Sequence, residues 1–332
     1  MPQSSLEYSD LPQRVAEMME NFLPDEDLIA KRVAEIGEVP ARPADQEGDT
    51  EVLDGVSFTH HFTDVDGDKE LVRYHWVECG QGEVIVFLHG IPDSWYEWHH
   101  QMASLSDEYR CISIDLKGYG QSEKKPGDYR HEAAAAELVR LFDAIGVGEF
   151  NLVTHDRGTM QGDYIAAKHP ERVLRYGRGE QHLYHFHPSL APQGELFAEA
   201  PRNGIMDDPR HLVIWGYSWL STHEVPEDEL RRVIQEISYP DCVRAVPRYF
   251  NSSTFRQEWI DRRERLLPAW KCPVLILQGY DSKTQPREYY EGAREYIPNA
   301  KDVRVRHLHT GHFWPMEAPA EVTAAIRELL EM

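Results

Sequence analysis

The chain of 332 residues has only four cysteines (Cys79, Cys111, Cys242 and Cys272), and no two of them form a CxxC pair. Without such a pair, free buried thiols are the simplest interpretation. Basic residues are also few, 35 against 57 acidic ones, which gives a formal net charge of -22. Because this charge repels phosphate backbones and anionic lipid surfaces, we expect neither nucleic acid nor a membrane as a partner.

Long apolar runs are missing as well. No segment approaches the ~18 uninterrupted apolar residues of a membrane span. Residues 1–27 carry acids where a signal peptide carries bases, so a cytoplasmic location is expected. At 41% hydrophobic residues, a chain of this length can bury a large core, which favours one sizeable domain with an inserted subdomain.

Short β-branched runs alternate with helical patterns along most of the chain, which predicts an α/β fold with a mostly parallel, eight-stranded sheet flanked by helices. Residues 1–50 form an N-terminal helical arm and a linker, with the amphipathic stretch from Leu11 to Ile36. Residues 51–180 and 271–332 form the core. Residues 181–270 form a helical cap inserted after the sixth predicted strand, RVLRYG. The arm either crosses this cap or pairs with a second copy in a homodimer.

The segment FNLVTHDRGTMQGDYIAAKHP carries the central signal, because an apolar strand passes through THDRGT directly into a helix. A strand-to-helix turn this tight is a nucleophile elbow, in which small residues, here Gly158 and Thr159, surround the apex. The apex is Asp156 and not the usual serine. A carboxylate that displaces a leaving group from a saturated carbon becomes an ester, which water can cleave in a second step. The sequence therefore predicts a hydrolase that acts at a saturated carbon.

Two other interpretations of Asp156 stay open. The residue can be an acidic N-cap of the following helix, or the elbow can be degenerate in a non-catalytic, ligand-binding homologue. Thr154 and Thr159, which are irregular for an elbow, keep the second interpretation open. Such a protein would bind ligands without forming an ester.

Two further segments supply the groups that this chemistry needs. In VIVFLHGIPDSWYEW, Gly90 permits a turn that aims the backbone N–H of Ile91 at an oxyanion, beside the N–H of Arg157. In HLHTGHFWPMEAP, His312 stands in a loop before the final helix, where a general base above the sheet is needed.

The acid that orients His312 has two candidates. Asp281, in VLILQGYDSKTQP, follows the seventh predicted strand, and the chain order of nucleophile, acid and histidine is then that of the α/β-hydrolases. Glu180, in RYGRGEQH, follows the sixth predicted strand and is the rival; its alternative is an exposed charge or an ion-pair partner of Arg178. We predict Asp281.

Together, the segments HGIPDSWYEW, DLKGYGQS, HDRG, QGYD and GHFWPMEAP resemble the epoxide hydrolase and haloalkane/haloacid dehalogenase branch of the α/β-hydrolase superfamily. The resemblance covers about residues 68 to 330. It implies an Asp-His-Asp triad of Asp156, His312 and Asp281, and it requires neither an organic cofactor nor a metal. In the run from His182 to His187 at the start of the cap, polar and aromatic residues alternate, which is more typical of packing; a metal site from its three histidines is the alternative.

HGIPDSW and DLKGYGQS are similar to epoxide hydrolases in particular, in which cap tyrosines hydrogen-bond the oxirane oxygen. Tyr249, in VPRYFN, matches the second of these tyrosines, and Tyr217, in IWGYSWL, matches the first. The resemblance thus implies a small-molecule epoxide as substrate and a vicinal diol as product. Trp215 and Trp95 are expected to contact its apolar or aromatic body.

A haloacid or haloalkane dehalogenase is the alternative enzyme. HDRG is similar to fluoroacetate dehalogenases, in which the arginine, here Arg157, grips the substrate carboxylate. Their second arginine would fall at Met160, so this carboxylate clamp is at best half present. Arg157 is expected to contact the substrate and to favour an anionic group.

Overall fold

A computed structural model describes residues 25–184, 197, 207–252, 255–285 and 287–332. Nine strands form one sheet in the order β1-β2-β3-β5-β4-β6-β7-β8-β9. The strands are β1 (Thr50–Leu53), β2 (Val56–Asp66), β3 (Leu71–Cys79), β4 (Glu83–Leu88), β5 (Tyr109–Ile114), β6 (Phe150–His155), β7 (Val173–Gly179), β8 (Val274–Gly279) and β9 (Val303–Leu308). Eight of them are the predicted strands. The prediction missed β1, because this strand has only four residues, TEVL, and so short a segment shows no clear alternation of polar and apolar residues.

The sheet is antiparallel at one edge and parallel elsewhere. Strands β1, β2, β3 and β5 pair antiparallel, whereas β5, β4, β6, β7, β8 and β9 pair parallel. Strands β6 and β8 are buried along their whole length, as expected where helices cover both faces. The carboxyl ends of the parallel strands meet at one edge of the sheet, where open α/β sheets bind their ligands.

Helices of the core flank this sheet on both faces, as predicted. The core helices are α2 (His99–Leu105), α3 (His131–Ala144), α4 (Asp156–Lys168), α9 (Ala293–Tyr296), α10 (Trp314–Glu317) and α11 (Pro319–Leu330). Helix α3 lies beside α4, and α11 packs on β7. All four cysteines are free and buried, which confirms the interpretation of their spacing.

The chain between β7 and β8 is helical where the structure describes it. Its helices are α5 (Pro209–Leu220), α6 (Glu227–Ile237), α7 (Cys242–Ser252) and α8 (Phe255–Asp261), followed by a π turn over Arg262–Leu266. Two residues of the histidine run, His185 and His187, lie outside the described residues. This insertion occupies the region predicted as the cap.

The first described helix of the N-terminal arm is α1 (Glu26–Ile36), and residues 11–24 of the predicted helical stretch lie outside the described residues. The arm lies against the cap of the same chain. Arg231 donates to the Ile36 carbonyl over 2.6 Å, and Gln235 donates to the Pro40 carbonyl over 3.1 Å. None of the described helices combines the length and the apolar character that a bilayer crossing requires.

Candidate active site

Asp156 is the first residue of α4 and follows β6 without an intervening loop. Its φ of 42° lies in the left-handed region, which is strained for a residue with a side chain. Two glycines make the turn possible. A Cβ at Gly158 would lie 2.3 Å from the Leu88 carbonyl oxygen, and a Cβ at Gly90 would lie 2.5 Å from the Asp156 Cβ. The strand, the turn and the helix therefore form the predicted elbow, with the carboxylate at its apex.

The two oxygens of the Asp156 carboxylate have different donors. The backbone N–H of Ile91 donates to Oδ1 over 3.1 Å. The side-chain amide of Gln181 donates to Oδ2 over 3.0 Å. Although burial alone would raise the pKa of Asp156, the nearby charges of His312 and Arg157 outweigh it and lower the pKa overall. The carboxylate is therefore ionised at neutral pH, as a nucleophile must be.

Glu180, and not Asp281, is the partner of His312. Nδ1 of His312 lies 2.9 Å from Oε2 of Glu180, and both side chains are buried. The Asp281 side chain is exposed and has no hydrogen bond to any described residue. The prediction of Asp281 was wrong because Asp281 is exposed to solvent, whereas the next residues of the same loop, Ser282 and Thr284, are buried and donate to Glu180. With its Nδ1–H donated to Glu180, the histidine presents Nε2 as the basic nitrogen.

The Glu180 carboxylate is held by several further donors. The backbone φ of Glu180 is 54°, which is also in the left-handed region, so both acidic residues of the site have a strained backbone conformation. The alternative that Glu180 pairs with Arg178 is wrong as well, because Arg178 forms a buried ion pair with Asp163 at 3.0 Å. The remaining donors to Glu180 are the Gln278 amide, the Gly279 N–H and the hydroxyls of Ser282 and Thr284.

Asp156 and His312 both line one narrow cavity of about 40 Å³. Three other residues predicted for the site, Ile91, Arg157 and Trp215, line it too. The Arg157 guanidinium lies 3.9 Å from the centre of the Phe250 ring. The remaining described lining residues are Gln181, His182, Phe197, Leu220, Phe250, Thr284, Gln285 and Phe313. Among these residues Arg157 is the one permanent cation.

A wider depression of about 580 Å³ lies elsewhere, and it contains neither Asp156 nor His312. Its walls come from residues 68–72 and 125–128, together with Lys117, Glu123, Arg130 and Ser252. Charges there neutralise each other locally, for example Arg130 with Asp128. The cavity at the elbow, which holds a nucleophile and a base, is therefore the candidate active site.

The structure does not bring the two predicted tyrosines or Trp95 to this cavity. The Tyr249 hydroxyl donates to the Lys117 carbonyl over 2.7 Å, and the Tyr217 hydroxyl donates to the Asp93 carboxyl over 2.7 Å. Trp95 packs edge-on against His60, at 5.4 Å between ring centres. All three side chains are buried, and their orientation follows from polar partners and packing that no local sequence pattern records.

His155, directly before the nucleophile, forms a buried pair with Glu97. Its Nδ1 lies 2.6 Å from a Glu97 carboxylate oxygen, and its Nε2 lies 2.8 Å from the His312 carbonyl oxygen. Burial alone would lower the pKa of His155, but Glu97 raises it to about 9. The protonated ring is thus paired with Glu97 by charge, and its Nε2 donates to the His312 carbonyl, which ties the loop of His312 to the elbow.

His182, Gln181 and Thr284 are site residues that the sequence did not indicate. Burial, together with the nearby positive charges of Arg262 and Arg178, holds the pKa of His182 well below its ordinary value, so this ring is neutral in the cavity wall. The only available signal was position, because Gln181 and His182 directly follow Glu180 at the end of a parallel strand.

The irregular threonines of the elbow bind each other. Thr154 and Thr159 have their hydroxyl oxygens 2.9 Å apart, and the Thr159 hydroxyl donates to the Gly179 carbonyl over 2.8 Å. This pair joins the elbow to the end of β7. The threonines are therefore compatible with an intact elbow.

Two groups of side chains within the described residues have ligand atoms close enough for a metal ion. They are Asp45, His60 and His75, and Asp54, His99 and His100. Neither group lines the cavity at Asp156. In each group a histidine is hydrogen-bonded to a carboxylate at 2.6 Å, as His75 is to Asp115 and His100 is to Asp54. Both groups therefore have structural partners away from the nucleophile.

The chain is similar to known hydrolases. The family model of the alpha/beta hydrolase fold matches residues 83–176. Epoxide hydrolase 2 of Siraitia grosvenorii is 35% identical over 122 residues, which are 36% of this chain and 39% of that protein. Bifunctional epoxide hydrolase 2 of Rattus norvegicus is 32% identical over 306 residues, 79% of this chain and 54% of the relative. The chain thus spans 39–54% of the length of these relatives.

The crystal structure of Cfl2 from Burkholderia cenocepacia has a similar fold, with a TM-score of 0.70 and 27% identity over 82% of this chain and 95% of that chain. The predicted fold class is confirmed by this similarity, by the family model and by the sheet order. The chain therefore has the α/β-hydrolase fold, and it is similar to epoxide hydrolases.

Proposed function

We propose that this protein is an epoxide hydrolase that forms a covalent ester on Asp156. One observation carries the proposal: an ionised carboxylate stands at the elbow with Oδ1 on the Ile91 N–H, and it shares its cavity with a histidine held by a buried acid. The names of the relatives from Siraitia grosvenorii and Rattus norvegicus support an epoxide as the substrate.

In the first step, Asp156 attacks a carbon of the epoxide ring. The carbon–oxygen bond of the ring breaks, and the ring oxygen takes a proton from water, so that a hydroxyalkyl ester of Asp156 and a hydroxide ion result. The hydroxyls of Tyr249 and Tyr217 are turned to other partners. The Arg157 guanidinium lines the cavity beside the nucleophile and supplies positive charge for the departing oxygen.

In the second step, His312 removes a proton from water, and the resulting hydroxide attacks the carbonyl carbon of the ester. Glu180 holds the ring orientation and stabilises the imidazolium that forms. The N–H of Ile91 holds the developing oxyanion, together with the N–H of Arg157 at the start of α4. The bond between the carbonyl carbon and the alkyl oxygen then breaks, the imidazolium protonates that oxygen, and a vicinal diol leaves. The Asp156 carboxyl releases its remaining proton to the solvent, which neutralises the hydroxide from the first step.

A haloacid dehalogenase is the second candidate, and one observation favours it. Arg157, a permanent cation, lines the cavity next to Asp156, where it can bind a substrate carboxylate while a halide leaves. The nucleophile and the base would be the same in both reactions. The leaving group therefore separates the two candidates.

Product analysis tests the proposal. Purified protein is incubated with styrene oxide in one reaction and with chloroacetate in another, and the diol and chloride are measured. We expect diol from styrene oxide, no diol from the Asp156→Asn variant, and accumulation of ester in the His312→Gln variant. Release of chloride without diol would assign the dehalogenase reaction. Binding of either compound without product or ester would contradict both and indicate a ligand-binding protein.

A further inference from the structure

The side-chain amide of Gln181 donates to the nucleophile, and neither step of the proposed reaction uses this donor. Oδ2 of Asp156 accepts from Nε2 of Gln181 over 3.0 Å, whereas Oδ1 accepts from the backbone N–H of Ile91 over 3.1 Å. Gln181 is 6% exposed and lines the cavity. The two carboxylate oxygens are therefore distinguished before a substrate arrives.

This difference decides which oxygen attacks. Oδ1 accepts from the backbone N–H of Ile91. This donor is placed to stabilise the carbonyl oxygen of the ester and then the oxyanion that forms from it, so Oδ1 becomes the carbonyl oxygen. From the described residues Oδ2 accepts one hydrogen bond, and it keeps a further lone pair for the attack on carbon. Oδ2 consequently becomes the bridging oxygen of the ester. In the second step the same oxygen leaves on the product.

We propose that Gln181 is a catalytic residue of the second step, in which its amide N–H stabilises the departing alkoxide; this rests on the proposed ester mechanism. Water gives a proton to Nε2 of His312, and its oxygen bonds to the Asp156 carbonyl carbon. The bond from that carbon to Oδ2 breaks, and Oδ2 takes up negative charge. The proton on His312 then passes to Oδ2, and the diol leaves with it.

The charge on Oδ2 changes in opposite directions in the two steps, so the hydrogen bond from Gln181 has opposite effects on their rates. During alkylation Oδ2 loses negative charge, so the bond from Gln181 weakens towards the transition state. During hydrolysis Oδ2 regains negative charge, so the bond strengthens. A donor at this place assists only the step in which its interaction is stronger in the transition state. That step is ester cleavage.

The position of Gln181 is fixed by the backbone around it. Its carbonyl oxygen accepts from the Tyr290 hydroxyl over 2.9 Å and from the Arg178 guanidinium over 3.3 Å. Gln181 also directly follows Glu180, whose carboxylate accepts from His312. Two consecutive residues directly after β7 thus present both the acid that orients the base and the donor for the leaving oxygen.

Single-turnover kinetics of the Gln181→Met variant with styrene oxide tests this role. Methionine keeps the length of the side chain and removes both amide N–H donors. We expect ester formation at the wild-type rate or faster, and ester hydrolysis slower by about 10- to 100-fold, the range for a hydrogen bond to a charged group. The ester on Asp156 is measured by mass spectrometry after rapid quenching. In steady state most of the variant should carry the ester.

The matched control is Gln161→Met. Gln161 is also buried, but its amide lies 3.5 Å from the Tyr249 hydroxyl and not at the nucleophile. This variant should retain both rates. Equal losses in the two steps of Gln181→Met, or no change in hydrolysis, would overturn the role of Gln181.

Two results separate this inference from the proposed function. Absence of ester in both the wild-type protein and His312→Gln would defeat the ester mechanism itself. If Gln181→Met does not fold, a crystal structure of the ester trapped in His312→Gln decides the question. Nε2 of Gln181 should then lie within about 3.2 Å of the bridging oxygen. An amide turned away from that oxygen would overturn the proposal.

Discussion

Nδ1 of His312 lies 2.9 Å from Oε2 of Glu180, so the base is oriented from the end of β7, two strands away from its own strand β9. The intervening strand β8 leads to Asp281, which is exposed. Glu180 also receives donors from the loop after β8, among them Ser282 at 2.6 Å. The loop after β8 therefore contributes hydrogen bonds to the acid but not the acid itself.

Neutralising the two rival acids should have different effects. Glu180→Gln keeps the size of the side chain but removes the charge that fixes the His312 tautomer. We expect kcat to fall by roughly 10²- to 10⁴-fold, as for other triads that lose their acid. Asp281→Asn should stay within about twofold of the wild-type rate, because exposed groups without partners contribute little. Steady-state diol formation measures both, and the opposite ranking would restore Asp281 as the acid.

Removing the hydroxyls of the two tyrosines should affect stability more than rate. Tyr249→Phe leaves the Lys117 carbonyl without its donor, and Tyr217→Phe does the same to Asp93. We expect each to lower the free energy of unfolding by about 1–3 kcal/mol, the cost of a buried group left unsatisfied. Because neither hydroxyl lies in the cavity wall, we expect kcat to change by less than about fivefold, or about 1 kcal/mol of activation free energy. A 100-fold loss in alkylation would show that these hydroxyls turn towards the reacting substrate.

The pair of His155 and Glu97 predicts a pH dependence of stability. The pKa of His155 is raised to about 9, above the ordinary value of 6.5, so the protonated ring stabilises the fold. This contribution is complete below pH 6.5 and is lost as the pH rises through 9. A shift of this size corresponds to about 3 kcal/mol.

Urea unfolding at pH 6, 7.5 and 9.5 measures this effect. The double variant His155→Gln, Glu97→Gln places an uncharged amide at both positions and removes the titrating ring. We expect the free energy of unfolding to fall with pH more steeply in the wild-type protein than in the double variant. Parallel curves for the two proteins would show that His155 does not carry the proton.

The glycine after the nucleophile should be irreplaceable for a steric reason. A methyl group at Gly158 would lie 2.3 Å from the Leu88 carbonyl oxygen on β4. We expect Gly158→Ala to lose about 1–3 kcal/mol of stability, the usual cost of overpacking, and to lose activity because the elbow shifts. Gly148→Ala is the control, since nothing lies within 4 Å of its added Cβ. Equal stability of both variants in thermal unfolding would contradict the close contact.

Features with a local signal were predictable from the sequence. The buried strands β4, β6 and β8, the elbow around Asp156 and the loop of His312 all stand in short segments whose pattern determines their structure. The choice between Glu180 and Asp281 did not follow, because both residues come after buried strands, and only the tertiary structure shows that Glu180 is buried beside His312 whereas Asp281 is exposed. The orientation of Tyr249 depends on how α7 packs on the core, which is a tertiary property. Gln181 had no signal of its own beyond its place after Glu180.

The covalent ester on Asp156 is the central claim, and one turnover in water enriched in ¹⁸O tests it directly. The protein is mixed with less than one equivalent of styrene oxide and is then digested with a protease. The mass of the peptide that contains Asp156 is measured by mass spectrometry. The ester mechanism predicts that one labelled oxygen enters the Asp156 carboxylate while the first diol formed carries none from the solvent. A labelled diol with an unlabelled Asp156 would contradict the mechanism and indicate direct attack of water on the epoxide.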